Sequence, residues 1–255
     1  MIFNSLAFAI FLPVVLILYY LLGFKWQNRM LLAASLFFYA WWEWHFLALL
    51  ALTIIVDYYA SHKVYDAHDP KEKKLWMQLS VAANVGVLVV FKYCDFFITS
   101  FAALLNSLGF EAHLPTLQLV LPVGISFYTF MSMAYVIDVY RGELKPTASF
   151  LDFALFVSYF PHLVAGPILR APQLLPQLTK ERKPSLDQIR DGIALIVIGY
   201  TRKVVIADSL APYVNESFSK MGEMGSGDLF IRMFFFAIQL YGDFAGYSDI
   251  ARGVS

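Results

Sequence analysis

Seven apolar stretches run through this chain, near residues 4–23, 30–42, 46–61, 75–91, 119–139, 190–207 and 229–251, and an eighth covers 150–169. A helix needs roughly 20 apolar residues to cross about 30 Å of hydrocarbon, so most of these stretches are of spanning length. With 59% of residues hydrophobic and only 15% charged, the chain is too apolar for a soluble domain of its size. The pattern predicts an all-α, polytopic transmembrane protein of about seven spans. The second and third stretches are short. They predict a hairpin whose tip, Trp41-Trp-Glu-Trp44, sits at headgroup level and thins the bilayer locally.

Formal net charge is zero, so nothing points to a nucleic-acid partner. Cys94 is alone, which leaves no intrachain disulfide and no zinc-type cysteine cluster. Met1-Ile-Phe-Asn-Ser5 carries no basic side chain and no small-residue cleavage site follows, so the first stretch is read as a span that stays.

Basic residues give orientation. One set of loops holds Lys25 and Arg29, then Lys63, Lys71, Lys73 and Lys74, then Arg141 and Lys145. The alternate loops hold only Lys92 and Lys220. The expectation is an N-terminus outside and basic loops in the cytoplasm, that is, a multi-pass membrane protein. The stretch 150–169 is followed by Arg170, Lys180, Arg182, Lys183 and Arg190, which would lie outside if it crossed. Phe160-Pro-His-Leu-Val-Ala-Gly-Pro167 holds two prolines and a glycine that break a helix. We therefore expect a re-entrant segment lining a cytoplasmic cavity, since irregular backbone at that depth needs protein or a wet cavity around it. A kinked ordinary span is the alternative. Ser185-Leu-Asp-Gln188 predicts a capping box at the start of the 190–207 span. No internal repeat is seen, and one membrane domain is expected over 1–255.

The last stretch contains Gln239-Leu-Tyr-Gly-Asp-Phe-Ala-Gly-Tyr-Ser-Asp249. Ionisable groups inside a span are costly and mark function by default. At 100° per residue, Gln239, Asp243, Gly246 and Ile250 share a face, with Tyr247 beside it. Gly242, Gly246, Asp249 and Gly253 form the adjoining stripe, and Gly242 with Gly246 lets a neighbouring helix approach closely. One reading is a wall of a polar tunnel. The other is helix packing, with Asp243 and Asp249 satisfied by partners.

His162 lies in the proposed re-entrant turn, where it relays a proton or, more commonly, bonds to backbone. Arg170 contacts either an anionic donor or lipid headgroups. His45, His62, His68 and His113 share no metal spacing. Ser126 lacks the second flanking glycine of a nucleophile elbow. Asp57 and Asp138 are read as solvated groups near span ends.

Five segments together resemble the membrane-bound O-acyltransferase family, in particular its bacterial branch that acetylates exopolysaccharides such as alginate. They are Ser35-Leu-Phe-Phe-Tyr-Ala-Trp-Trp42, Leu121-Pro-Val-Gly-Ile-Ser-Phe-Tyr128, Tyr135-Val-Ile-Asp-Val-Tyr-Arg-Gly142, Phe160-Pro-His-Leu-Val-Ala-Gly-Pro167 with Arg170, and the Gln239–Asp249 segment. The resemblance implies a ring of tilted helices around a thin centre. It implies acyl transfer from a cytoplasmic thioester, acetyl-CoA or protein-bound, used as substrate with no bound cofactor. The acceptor implied is a polysaccharide, reached with a periplasmic acyltransferase partner, in contact with membrane lipid. The family's general base is a histidine that follows a tryptophan, beyond the Tyr-Ser-Asp segment. The one histidine here preceded by tryptophan is His45, in the wrong context. These 255 residues are thus expected to be the N-terminal part of such a domain, inactive alone. What transfers is Gln239, Tyr241, Asp243, Tyr247 and Asp249 lining the tunnel, with His162 and Arg170 at the cytoplasmic mouth. A non-catalytic membrane partner of an acetylation complex, or a small transporter built on the polar helix, are the competing functions.

Overall fold

The computed structural model describes residues 1, 3–110, 120–164, 166, 169–220 and 222–255. Among them the regular structure is all helix. The helices are α1 (Leu6–Leu21), α2 (Phe24–Ala40), α3 (Phe46–Asp66), α4 (Pro70–Leu88), α5 (Cys94–Ser107) and α6 (Ile125–Arg141). Then follow α7 (Phe150–Ser158), α8 (Phe160–Leu163), α9 (Ala171–Thr179), α10 (Leu186–Tyr200), α11 (Asp208–Ser219) and α12 (Ser226–Val254). A π-helical turn, Val89–Tyr93, joins α4 to α5, and another, Thr201–Ala207, joins α10 to α11.

Three helical stretches are long and apolar enough to cross a membrane: Phe46–Asp66, the continuous Pro70–Ser107, and Ser226–Val254; Leu6–Leu21 is apolar but shorter. The third stretch is therefore not short: α3 has 21 residues and continues to Asp66. Large apolar side chains stand exposed along these helices, among them Leu79, Val90, Phe97 and Leu104. Hydrocarbon accepts such a surface; water does not.

Helix ends follow their local chemistry. Ser185 and Gln188 form the predicted capping box of α10. Asp69 caps α4, with Pro70 in its first turn. The apolar stretch 150–169 breaks after Ser158 into α7 and the single turn α8, as its prolines require. Ala165, Pro167 and Ile168 lie outside the described residues, and with them part of the predicted re-entrant turn.

The chain divides into two compact units. The first holds Met1–Trp42, Tyr159–Ile168 and Lys180–Ser255. Here α10 and α12 run antiparallel in close contact because glycines face each other: Gly192 meets Gly253, and Gly199 meets Gly246. A methyl group on Gly199 would stand 2.7 Å from the Gly246 carbonyl oxygen. Phe3, Phe8, Phe38 and Phe160 form the aromatic core of this unit, with the Phe3 ring tilted against Tyr247 at a centre-to-centre distance of 5.1 Å.

The second unit holds Glu43–Ser158 and Leu169–Thr179. Its centre is the packing of α3, α4 and α6 against one another, with α7 on α3 and α6, and α9 on α7. Gly142, at φ +76°, ends α6. Its N–H bonds the Val139 carbonyl at 3.1 Å, and the Glu143 N–H bonds the Asp138 carbonyl at 3.0 Å. This is the Schellman pattern, which glycine alone enters without strain.

Candidate functional site

The polar face of α12 is the richest site in the first unit. Its backbone comes close to α10 through the glycine contacts, and the π-helical turn Thr201–Ala207 lies opposite. A π turn holds one extra residue, which narrows the angle between consecutive side chains. Both Arg202 and Lys203 therefore reach α12. Arg202 Nη1 pairs with Asp249 Oδ2. Lys203 Nζ lies 2.7 Å from Asp243 Oδ1 and 2.8 Å from Asp208 Oδ1. Asn4 donates to the other Asp208 oxygen at 3.3 Å. The Lys203 ammonium also lies 5.8 Å from the Tyr247 ring centre, a cation–π contact. Tyr200 closes the group by donating to the Phe3 carbonyl at 2.6 Å.

Of the predicted tunnel residues, the structure brings Asp243, Tyr247 and Asp249 together. Gln239 is half-buried on the same face, further along the helix. Tyr241 lies on the opposite side, 65% exposed, and shares no contact with this group. Sequence reasoning missed Arg202 and Lys203, the cations that make the cluster possible. The available signal was two adjacent charges in the apolar run Ile193–Ile206, as costly there as the carboxylates they meet. Both carboxylates are paired, so the packing reading describes their present contacts. A cluster of two cations and three carboxylates keeps a surplus negative charge.

His162 is buried in α8, which packs on α2 and α12, and its ring lies 5.4 Å from Tyr159. A Cβ on Gly166 would stand 3.1 Å from the His162 Cα, a tight approach that His162 would have to yield to by a few tenths of an ångström. Ser35 anchors the turn by accepting the Phe160 N–H at 3.1 Å.

Arg170 belongs to the second unit, His162 to the first. The Schellman turn at Gly142 sets Glu143 beside Asp138. Arg170 Nη2 then donates to Asp138 Oδ1 at 2.5 Å and to Glu143 Oε2 at 3.1 Å. The hydrogen bond to Asp138 and its charge, with Glu143 adding to them, push the Arg170 pKa further up. Nη1 and Nε take no part in these bonds, and the side chain is 53% exposed. The two acids fix the plane of the guanidinium, and the N–H groups of Nη1 and Nε can each still donate to an anion.

Asp57 and Asp138 correct the sequence reading: neither is solvated. Asp138 is buried against Arg170. Asp57 is fully buried and accepts from Ser80 at 2.6 Å, from Asn84 at 2.9 Å to each oxygen, and from Ser132 at 2.5 Å. The short reading of α3 placed Asp57 near a span end; the observed helix runs to Asp66 and puts it inside. Among the described residues no group of three His, Cys, Asp or Glu side chains could hold a metal ion.

Comparison with known proteins bears on what these sites serve. Over 256 aligned residues, covering 100% of this chain and 52% of the relative, the chain is 41% identical to the probable alginate O-acetylase AlgI of Pseudomonas putida. The chain is thus homologous along its whole length to part of the alginate O-acetylases. It is also 35% identical to the peptidoglycan O-acetyltransferase of Helicobacter pylori, over 100% of this chain and 53% of that one. A more distant likeness, 26% over 57% of this chain, joins it to the teichoic acid D-alanyltransferase of Bacillus subtilis, of which it covers 37%. No protein-family model matches the chain. The chain spans about half the length of the alginate O-acetylases it matches. Its whole length aligns, so the α12 charge cluster, the Arg170 group and the Asp57 group all fall within the homologous region.

Proposed function

We propose that this chain is the amino-terminal part of an acetyltransferase that moves an acetyl group from a cytoplasmic thioester to hydroxyls of an exopolysaccharide. The observation that carries this is the identity with the alginate O-acetylases along all 255 residues. The donor is acetyl-CoA or a protein-bound acyl thioester, used as substrate. The family's Trp-His pair with the general base is not among these residues. These residues supply the donor side of the path. Arg170 engages a donor phosphate through the N–H groups its two acids leave. Gln239, Asp243, Tyr247 and Asp249 border the path on α12, with His162 near its cytoplasmic mouth. Tyr241 faces lipid.

In this reading the protein is a single membrane domain of a bacterial inner membrane. Seven spans cross, 150–169 enters and returns, and the N-terminus is outside. The alternation of basic loops supports that orientation. A periplasmic acyltransferase completes delivery to the polysaccharide. One observation favours a second reading, a non-catalytic partner of an acetylation complex: both α12 carboxylates are already paired with cations.

Transfer of radiolabelled acetyl groups separates the two. Membranes holding the full-length product are given labelled acetyl-CoA and scored for label on polysaccharide. Acetylation is predicted, and Asp249→Asn should lower it by more than it lowers the folded fraction. Label transfer that persists undiminished in membranes without the gene product would leave only the partner role.

A further inference from the structure

The Asp57 group plays no part in the proposed path, yet both oxygens of this buried carboxylate are hydrogen-bonded. Four hydrogen bonds from three side chains on two other helices converge on one carboxylate. Among the described residues no cationic side chain pairs with it. In hydrocarbon, apolar faces do not drive helices together, so interhelical hydrogen bonds carry much of the register. Asp57 therefore fixes the axial position of α6 against α3 and α4.

The consequence appears at the end of α6. Ser132, the α6 partner of Asp57, lies six residues before Asp138, about 9 Å along a helix at 1.5 Å per residue. Between them Tyr135 accepts the Thr147 N–H at 2.8 Å, and Tyr58, next to Asp57 on α3, donates to the Ala148 carbonyl at 2.9 Å. These two bonds tie the loop after Gly142 to both helices. That loop begins with Glu143, one of the two acids holding Arg170. A slip of α6 by even a fraction of a turn would move Asp138 and Glu143 together and turn the Arg170 N–H groups away from their present direction.

We infer that Asp57 is a positioning residue for donor binding: through Ser132 and α6 it sets the acids that aim Arg170. This rests on the reading of Arg170 as the donor contact. No atom of Asp57 touches substrate in this scheme.

The test is the dissociation constant for acetyl-CoA of the full-length protein in detergent, with melting temperature measured alongside. The variants are Arg170→Ala, Asp57→Asn and Ser132→Ala. Arg170→Ala should weaken acetyl-CoA binding at least tenfold. Asp57→Asn keeps the shape and one carbonyl oxygen but opposes the Asn84 amide, and should weaken binding about fivefold. Ser132→Ala removes one bond and should weaken it about threefold with little change in melting temperature. Weakened binding at an unshifted melting temperature is what a merely structural role would not produce. If Arg170→Ala weakens binding while Asp57→Asn and Ser132→Ala, still folded, bind as wild type, the positioning inference fails alone. If Arg170→Ala leaves binding unchanged, the donor reading fails and this inference with it. Should Asp57→Asn not fold, Ser132→Ala decides.

Discussion

Arg202 and Asp249 face each other across α10 and α12 with unequal access to water: the Arg202 side chain is 36% exposed, that of Asp249 only 12%. The inequality predicts an asymmetric response to removing either partner. Arg202→Ala strands a nearly buried carboxylate among apolar helices. Breaking a fully buried pair in this way costs about 3–5 kcal/mol, and the partial exposure of Arg202 lowers that to about 2–3 kcal/mol. Asp249→Asn leaves a cation on a long stem that turns toward water or headgroups, and the amide still accepts a hydrogen bond. Its cost should be about 1 kcal/mol. The difference corresponds to roughly a 5–30-fold change in the folded ratio, well within reach of a thermal melt in detergent. The Arg202→Ala/Asp249→Asn pair should be no worse than Arg202→Ala alone, because the stranded charge has gone. Equal costs, or Asp249→Asn the more damaging, would refute the argument that burial of the carboxylate dominates. A loss of acetyl transfer in Asp249→Asn beyond its modest stability cost would instead mark this acid as part of the path.

Three further outcomes follow from the same geometry. Gly246→Ala places a methyl 2.8 Å from the Gly199 carbonyl and 2.9 Å from the Lys203 nitrogen, both backbone atoms that cannot turn aside. It should lower stability by about 1–3 kcal/mol, read as a fall in melting temperature; an unchanged melt would mean the helices do not meet as described. Gly142→Ala forces a Cβ into φ +76° and should cost about 1–2 kcal/mol. It should also weaken acetyl-CoA binding by displacing Glu143 from Arg170, and wild-type affinity would count against the Schellman turn as the device that sets this pair. Glu216 hydrogen-bonds Lys220 and Arg232, which hold its carboxyl below the ordinary range. A depressed folded-state value stabilises above the unfolded pKa, near 4.5, and the contribution is lost as pH falls through the folded value. Melting temperatures of wild type and Glu216→Gln should therefore differ at neutral pH and converge as pH falls through the folded-state value; a constant gap would show that the charge is not the cause.

The helices of this chain were legible because apolar length, prolines and capping residues are local signals. Ser185 with Gln188 marked the start of α10, and Phe160-Pro-His located a break in the apolar stretch that the structure shows after Ser158. The stripe of Gly242, Gly246 and Gly253 was also legible, since helical periodicity names the residues of a face. Periodicity does not name the neighbour, which here is α10 and its π turn, with Arg202 some 47 residues before Asp249. That is why the α12 carboxylates were found and their cations were not. Asp57 was misread for a different reason. The third apolar stretch fades at residue 61 in hydropathy, while the helix continues five residues further to Asp66 on hydrogen bonding and packing. Ser80 and Asn84, four apart on α4, were the available hint that a polar group lies opposite.

We propose that this chain forms part of a machine that acetylates exopolysaccharide. The most direct measurement is the O-acetyl content of exopolysaccharide, by proton NMR, from source cells with the gene intact, disrupted, and restored. Ester acetyl signals should disappear on disruption and return on restoration. Polysaccharide that is equally acetylated in all three would contradict it.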